Sequence, residues 1–182
     1  MMSSPAEARL CNEISTVIDV VERRAIGFMC EEIELNAPTI SRRMDRADQF
    51  DLRAVTAIIG VGASAGLYIA FTYDDALIRM IMRRYTAELT VAPEDEDLYV
   101  RETASDIVNV IVGNCTADLA TRGGTITLSP PVLVEGARTI KGRPEATVAV
   151  HTIAFDDGEL DIAFVGPKAL FDERLNYTGE AA

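Results

Sequence analysis

Residues 55–73, VTAIIGVGASAGLYIAFTY, decide the fold. Val55–Val61 is apolar and β-branched, Leu67–Tyr73 alternates and carries aromatic rings, and Gly60, Gly62 and Gly66 cluster at the join. Two strands linked by a few small residues leave no room for a crossover helix, so they pair antiparallel. The glycine spacing resembles a nucleotide loop only superficially. It is not GxGxxG, no lysine follows, and a strand rather than a helix comes next.

Working outward, Asp74-Asp75 caps a helix running to about Thr86, with Ala76, Leu77, Met80 and Ile81 on its apolar side. A third helix spans about Asp95–Thr121 and stops at Arg122-Gly123-Gly124. Upstream, Leu10, Ile14, Val17, Ile18, Val21, Ala25 and Phe28 recur at helical spacing and predict a long helix over 6–33. Pro38 prevents its continuation; residues 33–43 hold a first strand and Asp45–Asp51 a polar turn. Downstream, Thr125–Val134 reads as a strand whose Pro130-Pro131 demands an edge, bend or bulge. Ala146–Phe155 and Glu159–Val165 form a hairpin around Asp156-Asp157-Gly158, and the tail after Pro167 holds a short helix. Strands grouped together and helices segregated from them give an α+β fold, an antiparallel sheet packed on long helices. With 182 residues the chain is expected to be a single domain, its core about 10–165 between flexible tails.

Composition excludes several functions. The net charge is −12 and basic residues are scattered, so neither nucleic acid nor an anionic membrane is an expected partner. The longest apolar runs, Ala54–Ala63 and Ile107–Gly113, fall short of the roughly 20 residues of a membrane span. No basic stretch precedes an apolar one at the N-terminus, so no signal peptide is expected and the cytoplasm is the expected location. Cys11, Cys30 and Cys115 sit apart in apolar segments and read as buried reduced thiols, with no metal spacing. His151 is the one histidine and lies in an alternating strand, where a structural role is the ordinary one. The acidic run Pro93–Asp97 reads as a solvated helix start.

The third helix carries the candidate chemistry. Ala104, Ile107, Val108, Ile111, Val112, Cys115 and Leu119 cover one broad side. Glu102, Asp106, Asn109 and Gly113 fall within an arc of about 60° on the other. Polar outer faces are ordinary, but this stripe holds no lysine or arginine. Glu102 and Asp106 are like charges one turn apart, at a cost of a few tenths of a kcal/mol. An exposed mid-helix glycine costs roughly 1 kcal/mol against alanine. A sequence that tolerates both keeps a surface clear for a partner.

The segment Asp106–Asn114, with Leu119, Gly123 and Leu128-Ser129-Pro130-Pro131-Val132, resembles the CheX-type phosphatases of bacterial chemotaxis, within the wider CheC and FliY group. The family pattern is an acidic or serine residue, after three residues a glutamate, and after two more an asparagine. A glycine-asparagine pair and a proline-bearing strand follow. Glu102, Asn109, Gly113-Asn114 and Pro130-Pro131 match; Asp106 stands where the family has glutamate, with an arm shorter by about 1.5 Å. The resemblance implies a CheC/CheX-like fold and a protein aspartyl-phosphate phosphatase acting on a phosphorylated CheY-like receiver domain. In that role Asn109 and Asp106 are catalytic, Asn109 orienting water and Asp106 meeting the receiver's lysine, while Glu102, Asp106 and Gly113 bind the partner. No cofactor or metal belongs to this chain; Mg²⁺ is expected on the receiver. The alternative is a non-catalytic receiver-binding adaptor of the same fold, because of Asp106. The family also implies a homodimer built by sheet pairing, for which Val55–Tyr73 and the hairpin Ala146–Val165 offer edges.

Overall fold

The computed structural model describes residues 5–46, 50–62, 66–121, 128–134, 146–168 and 171, with backbone alone for 5–12. The side chains of Leu10 and Cys11 are not described, and the helix stop at 122–124, most of the expected strand start at 125–127, and the tail from 172 lie outside the described residues. So do residues 47–49 of the expected polar turn.

Helix α1 (Pro5–Gly27) runs into a single π-helical turn (Phe28–Glu32). Ile14, Val17, Ile18, Val21, Ala25 and Phe28 are all buried, as their spacing predicts. The first strand, β1 (Thr39–Arg46), starts later than the sequence suggests. Ile33 and Leu35 close the helix end instead, their N–H groups bonding Phe28 O at 3.2 Å and Met29 O at 3.0 Å. Arg84 takes the freed carbonyls of Ile33 and Glu34 at 3.0 and 2.9 Å.

Strands β2 (Val55–Val61) and β3 (Leu67–Tyr73) pair antiparallel, with Val55 opposite Tyr73 and Val61 opposite Leu67. Helix α2 (Asp75–Tyr85) follows, then a short 3₁₀ turn and helix α3 (Glu96–Thr121). Strands β4 (Val132–Val134), β5 (Ala146–Phe155) and β6 (Gly158–Pro167) complete one antiparallel six-stranded sheet in the order β1-β5-β6-β3-β2-β4. In the β5–β6 turn the positive φ belongs to Gly158, at 138°, where a Cβ would also meet Leu77 Cβ at 3.1 Å.

This order corrects the expected dimer edges. The hairpins 55–73 and 146–165 lie inside the sheet, because β1 pairs with eight of the ten residues of β5 and β4 covers part of β2. The edges are β1 and the short proline-preceded β4, where a missing N–H is tolerated. On one face of the sheet Ile59, Ile69, Phe71, Ile162 and Phe164 join the core formed with α1, α2 and α3. Ala70, Val148, Val150, Ala163 and Val165 pack on the other face with Phe50.

Two details of α2 differ from the sequence reading. Ala76 is exposed and Ile78 buried, so the apolar face is Leu77, Ile78, Ile81 and Met82. Asp74 holds the N-cap position but makes no capping bond to the helix. Its carboxylate instead accepts from the Glu159 N–H at 2.9 Å and from Arg53 at 2.6 Å. A convergent arginine and a β6 amide compete better for it than the helix N–H groups. Of the cysteines, Cys115 is buried and Cys30 half-buried, both free.

His151 is structural, and it has a charged partner. Its ring is buried edge-on against Phe164, centroids 5.2 Å apart. Nδ1–H donates to Glu22 of α1, and Arg42 of β1 grips the same carboxylate, with Nε at 2.9 Å. Burial alone would raise the Glu22 pKa, but the hydrogen bonds from His151 and Arg42 and the charge of Arg42 outweigh it and bring it down to about 2. A lowered folded-state pKa adds stability above the ordinary glutamate value, lost as pH falls towards the folded one. Between about pH 4.5 and 2 the protein therefore loses stability on the order of 3 kcal/mol from this group. Urea unfolding across that range is expected to fall more steeply for the native chain than for Glu22→Gln; parallel curves would remove the assignment.

Candidate functional site

Every apolar residue expected on the inner face of α3 is buried, from Ala104 through Leu119, joined by Val100 and Thr103. That burial fixes the rotation of the helix, and the outer face follows from it. Glu102, Asp106, Asn109 and Gly113 are all exposed there. Among the described residues, no hydrogen bond or ion pair engages the side chains of Glu102, Asp106 or Asn109.

The neighbouring arginines are committed elsewhere. Arg79 bonds Asp75 and Asp97 at 3.0 and 2.7 Å, and Arg83 bonds Glu96 at 3.0 Å. The acidic helix start is thus paired to α2 as well as solvated. At the far end Arg23 and Arg24 of α1 hold Asp118 at 2.8 and 2.5 Å. These contacts fasten both ends of α3 to the other helices; in the middle of its outer face, beside the Asn109 carboxamide, Glu102 and Asp106 have no counter-ion among the described residues.

Among the described residues, nothing lies within 4 Å of the place a Cβ at Gly113 would take, and their packing gives no reason for glycine at this point. Asn114 is exposed beside it. A hollow of about 340 Å³ lies between the Gly60–Gly62 and Gly66–Tyr68 ends of β2 and β3 and the Leu128-Ser129 segment, and no stripe residue borders it. Gly60 and Ser129 meet there through reciprocal bonds of 2.8 and 2.9 Å. Two antiparallel strands flank this glycine cluster, which agrees with discounting it as a nucleotide loop. Among the described residues no group of three His, Cys, Asp or Glu side chains is arranged to hold a metal, and no helix is long and apolar enough to cross a membrane.

A family model described as chemotaxis phosphatase CheX matches residues 55–156, from β2 through β5, with the whole of α3 inside. The chain belongs to the CheX family. Solved structures of similar fold agree. A CheC-like superfamily protein from Shewanella sp. PV-4 superposes with a TM-score of 0.69 at 16% identity, over 82% of this chain and 96% of that one. Chemotaxis protein CheX from Vibrio vulnificus gives 0.65 at 20% identity, over 81% and 97%. The CheX–CheY–BeF₃–Mg²⁺ complex from Borrelia burgdorferi contains a chain matching at 0.61 and 18% identity, over 82% and 96%. At these identities the likeness is one of fold. No curated protein matches this CheX-family chain in sequence.

The sequence pattern located the polar stripe without help from the fold. It did not single out Leu98 and Val110, two large apolar side chains left exposed on the same helix. Their signal was available: both are apolar residues on the polar side of the wheel.

Proposed function

We propose that this CheX-family chain is a phosphatase that promotes hydrolysis of the aspartyl phosphate on a CheY-like response-regulator receiver domain, in the cytoplasm. The observation that carries the reading is the Glu102–Asp106–Asn109 stripe, exposed in mid-helix with no counter-ion among the described residues. An acyl phosphate is already reactive. Water attacks phosphorus in line, the bond from phosphorus to the carboxyl oxygen breaks, and the aspartate leaves as its carboxylate. Mg²⁺ on the receiver would supply the charge stabilisation. This chain's contribution is then to hold water and exclude bulk solvent. The Asn109 carboxamide can accept from that water through its oxygen while its NH₂ donates to the phosphoryl group. Asp106 meets the receiver's lysine and fixes the register of docking.

Phosphate release from phosphorylated receivers tests this directly. If none of the receivers encoded with this chain loses phosphate faster in its presence, the reading fails. Aspartate in place of the family glutamate at 106 favours one alternative, an adaptor of the same fold that binds the receiver without catalysis. Activity appearing only in Asp106→Glu would select the adaptor. We also propose a homodimer, for which the eight-residue β1 is the longer open edge. A monomer mass by light scattering at micromolar concentration would count against it.

Gly113 gives a further expected outcome. A helix-forming side chain there recovers roughly 0.5–1 kcal/mol of helix propensity. Gly113→Leu is therefore expected to raise the denaturation midpoint while obstructing the receiver and lowering activity. A variant that is more stable and fully active would mean that nothing docks at this turn.

A further inference from the structure

Among the described residues, the large apolar side chains left exposed are Tyr68, Tyr85, Leu89, Leu98, Val110 and Val132. Two of the six, Leu98 at 44% and Val110 at 40%, stand on the outer side of α3. Scattered single exposures are ordinary in a folded protein. The placement of these two is not scattered. Twelve residues separate them, so they lie about 120° apart around the helix and roughly 18 Å apart along it. Glu102, Asp106 and Asn109 fall between them in both senses, and Gly113 falls between them around the helix. Beyond Val110 the outer face continues through Gly113, Thr116 and Ala117, exposed and uncharged. Asp118 is turned away into its pairing with Arg23 and Arg24.

We infer that Leu98 and Val110 are the apolar anchors of the docking surface, set at opposite margins of the polar stripe. The occupant is the receiver domain, through a surface that offers a cationic side chain between two apolar patches; this rests on the phosphatase reading above. Charge complementarity selects that chemistry. Glu102 and Asp106 lack a cation of their own among the described residues, so a partner's ammonium group is the missing member. The apolar margins give the reason for the arrangement. A pair of charges in open water contributes little, whereas one ringed by contacts that exclude water contributes more to binding. A span of roughly 18 Å also fits within one side of an interface burying about 800 Å² per partner.

The test uses the whole chain and a receiver loaded with beryllofluoride and Mg²⁺ as the phosphorylated mimic, for Leu98→Ser, Val110→Ser and the control Leu89→Ser. Each anchor variant is expected to raise the dissociation constant roughly five- to tenfold, with unchanged kcat for phosphate release at saturating receiver. Leu89→Ser, 59% exposed off this face, is expected to bind like the native chain. Since both anchors are surface residues, unchanged thermal melts identify folded variants. Native binding that Leu98→Ser and Val110→Ser leave within twofold overturns the anchors alone. So does a loss of kcat at unchanged affinity. Failure of the native chain to bind or dephosphorylate any receiver overturns the anchors and the phosphatase reading together.

Discussion

Asn109→Ala is expected to lower receiver dephosphorylation by about 10²–10³ while receiver affinity stays within a few fold. The carboxamide sits on the exposed face of a helix whose opposite face is buried from Val100 to Leu119, so its backbone is held by the whole core rather than by a loop. Its proposed task is to order one water, and that interaction develops chiefly in the transition state, which separates kcat from binding. Asp106→Ala is expected to differ in kind. It removes the proposed ionic contact with the receiver's lysine, so affinity falls along with rate. Glu102→Ala, at the margin of the stripe and in water, should be the mildest of the three. Binding to the beryllofluoride-loaded receiver and single-turnover phosphate release, measured on all three variants, distinguish these roles. Full turnover in Asn109→Ala would remove the mechanism and leave the family assignment standing.

What could be read from the sequence was whatever depends on neighbours along the chain. The α3 inner face and its stripe follow from a 3.6-residue period, and Val55–Val61 and Leu67–Tyr73 from alternation and glycine punctuation; both agree with the structure to within a residue or two. Pairing order is a property of distant segments, and there the reading failed. Nothing local in residues 33–46 says that β1 will lie along β5 more than 100 positions later, closing one of the two expected edges. The Glu22–His151–Arg42 cluster is illegible for the same reason: its members come from a helix and two strands. A short helix gave an intermediate case. In α2, eleven residues carry too few turns for periodicity to choose between Ala76 and Ile78, and Ile78 is the one that is buried. Leu98 and Val110 were missed differently. They break the amphipathic pattern, which marks them on the wheel, and their exposure in the fold separates them from apolar residues at the margin of the core.

Arg53→Ala is expected to destabilise the protein more than any surface substitution considered above, although Arg53 lies in no strand or helix. Its guanidinium reaches Asp161 Oδ2 at 2.8 Å, Asp74 Oδ1 at 2.6 Å and Glu159 Oε2 at 2.5 Å, and its backbone N–H donates to Thr72 Oγ1 at 2.6 Å. The three carboxylates are not equivalent. Asp74 and Glu159 are 36% and 43% exposed, so water would replace much of what they lose; Asp161 is 4% exposed. Without the arginine, Asp161 keeps the Thr152 hydroxyl at 2.5 Å, with Arg43 bonded to that hydroxyl at 3.1 Å, but among the described residues it has no cation bonded to it directly, while two like charges stay nearby. An uncompensated buried charge costs roughly 3 kcal/mol, and the two wetter partners add little. For a chain of this size that lowers the melting temperature by about 6–12 °C. The start of α2 loses one tie but keeps the bonds between Asp74 and the Glu159 backbone, at 2.9 and 3.0 Å. A double-mutant cycle isolates the cause. If the penalty is the stranded charge, Asp161→Asn made in the Arg53→Ala background recovers part of the stability, although Asp161→Asn alone is destabilising. A loss below about 1 kcal/mol for Arg53→Ala, or no recovery in the double variant, would show that the arginine bridges three solvated carboxylates and holds nothing together.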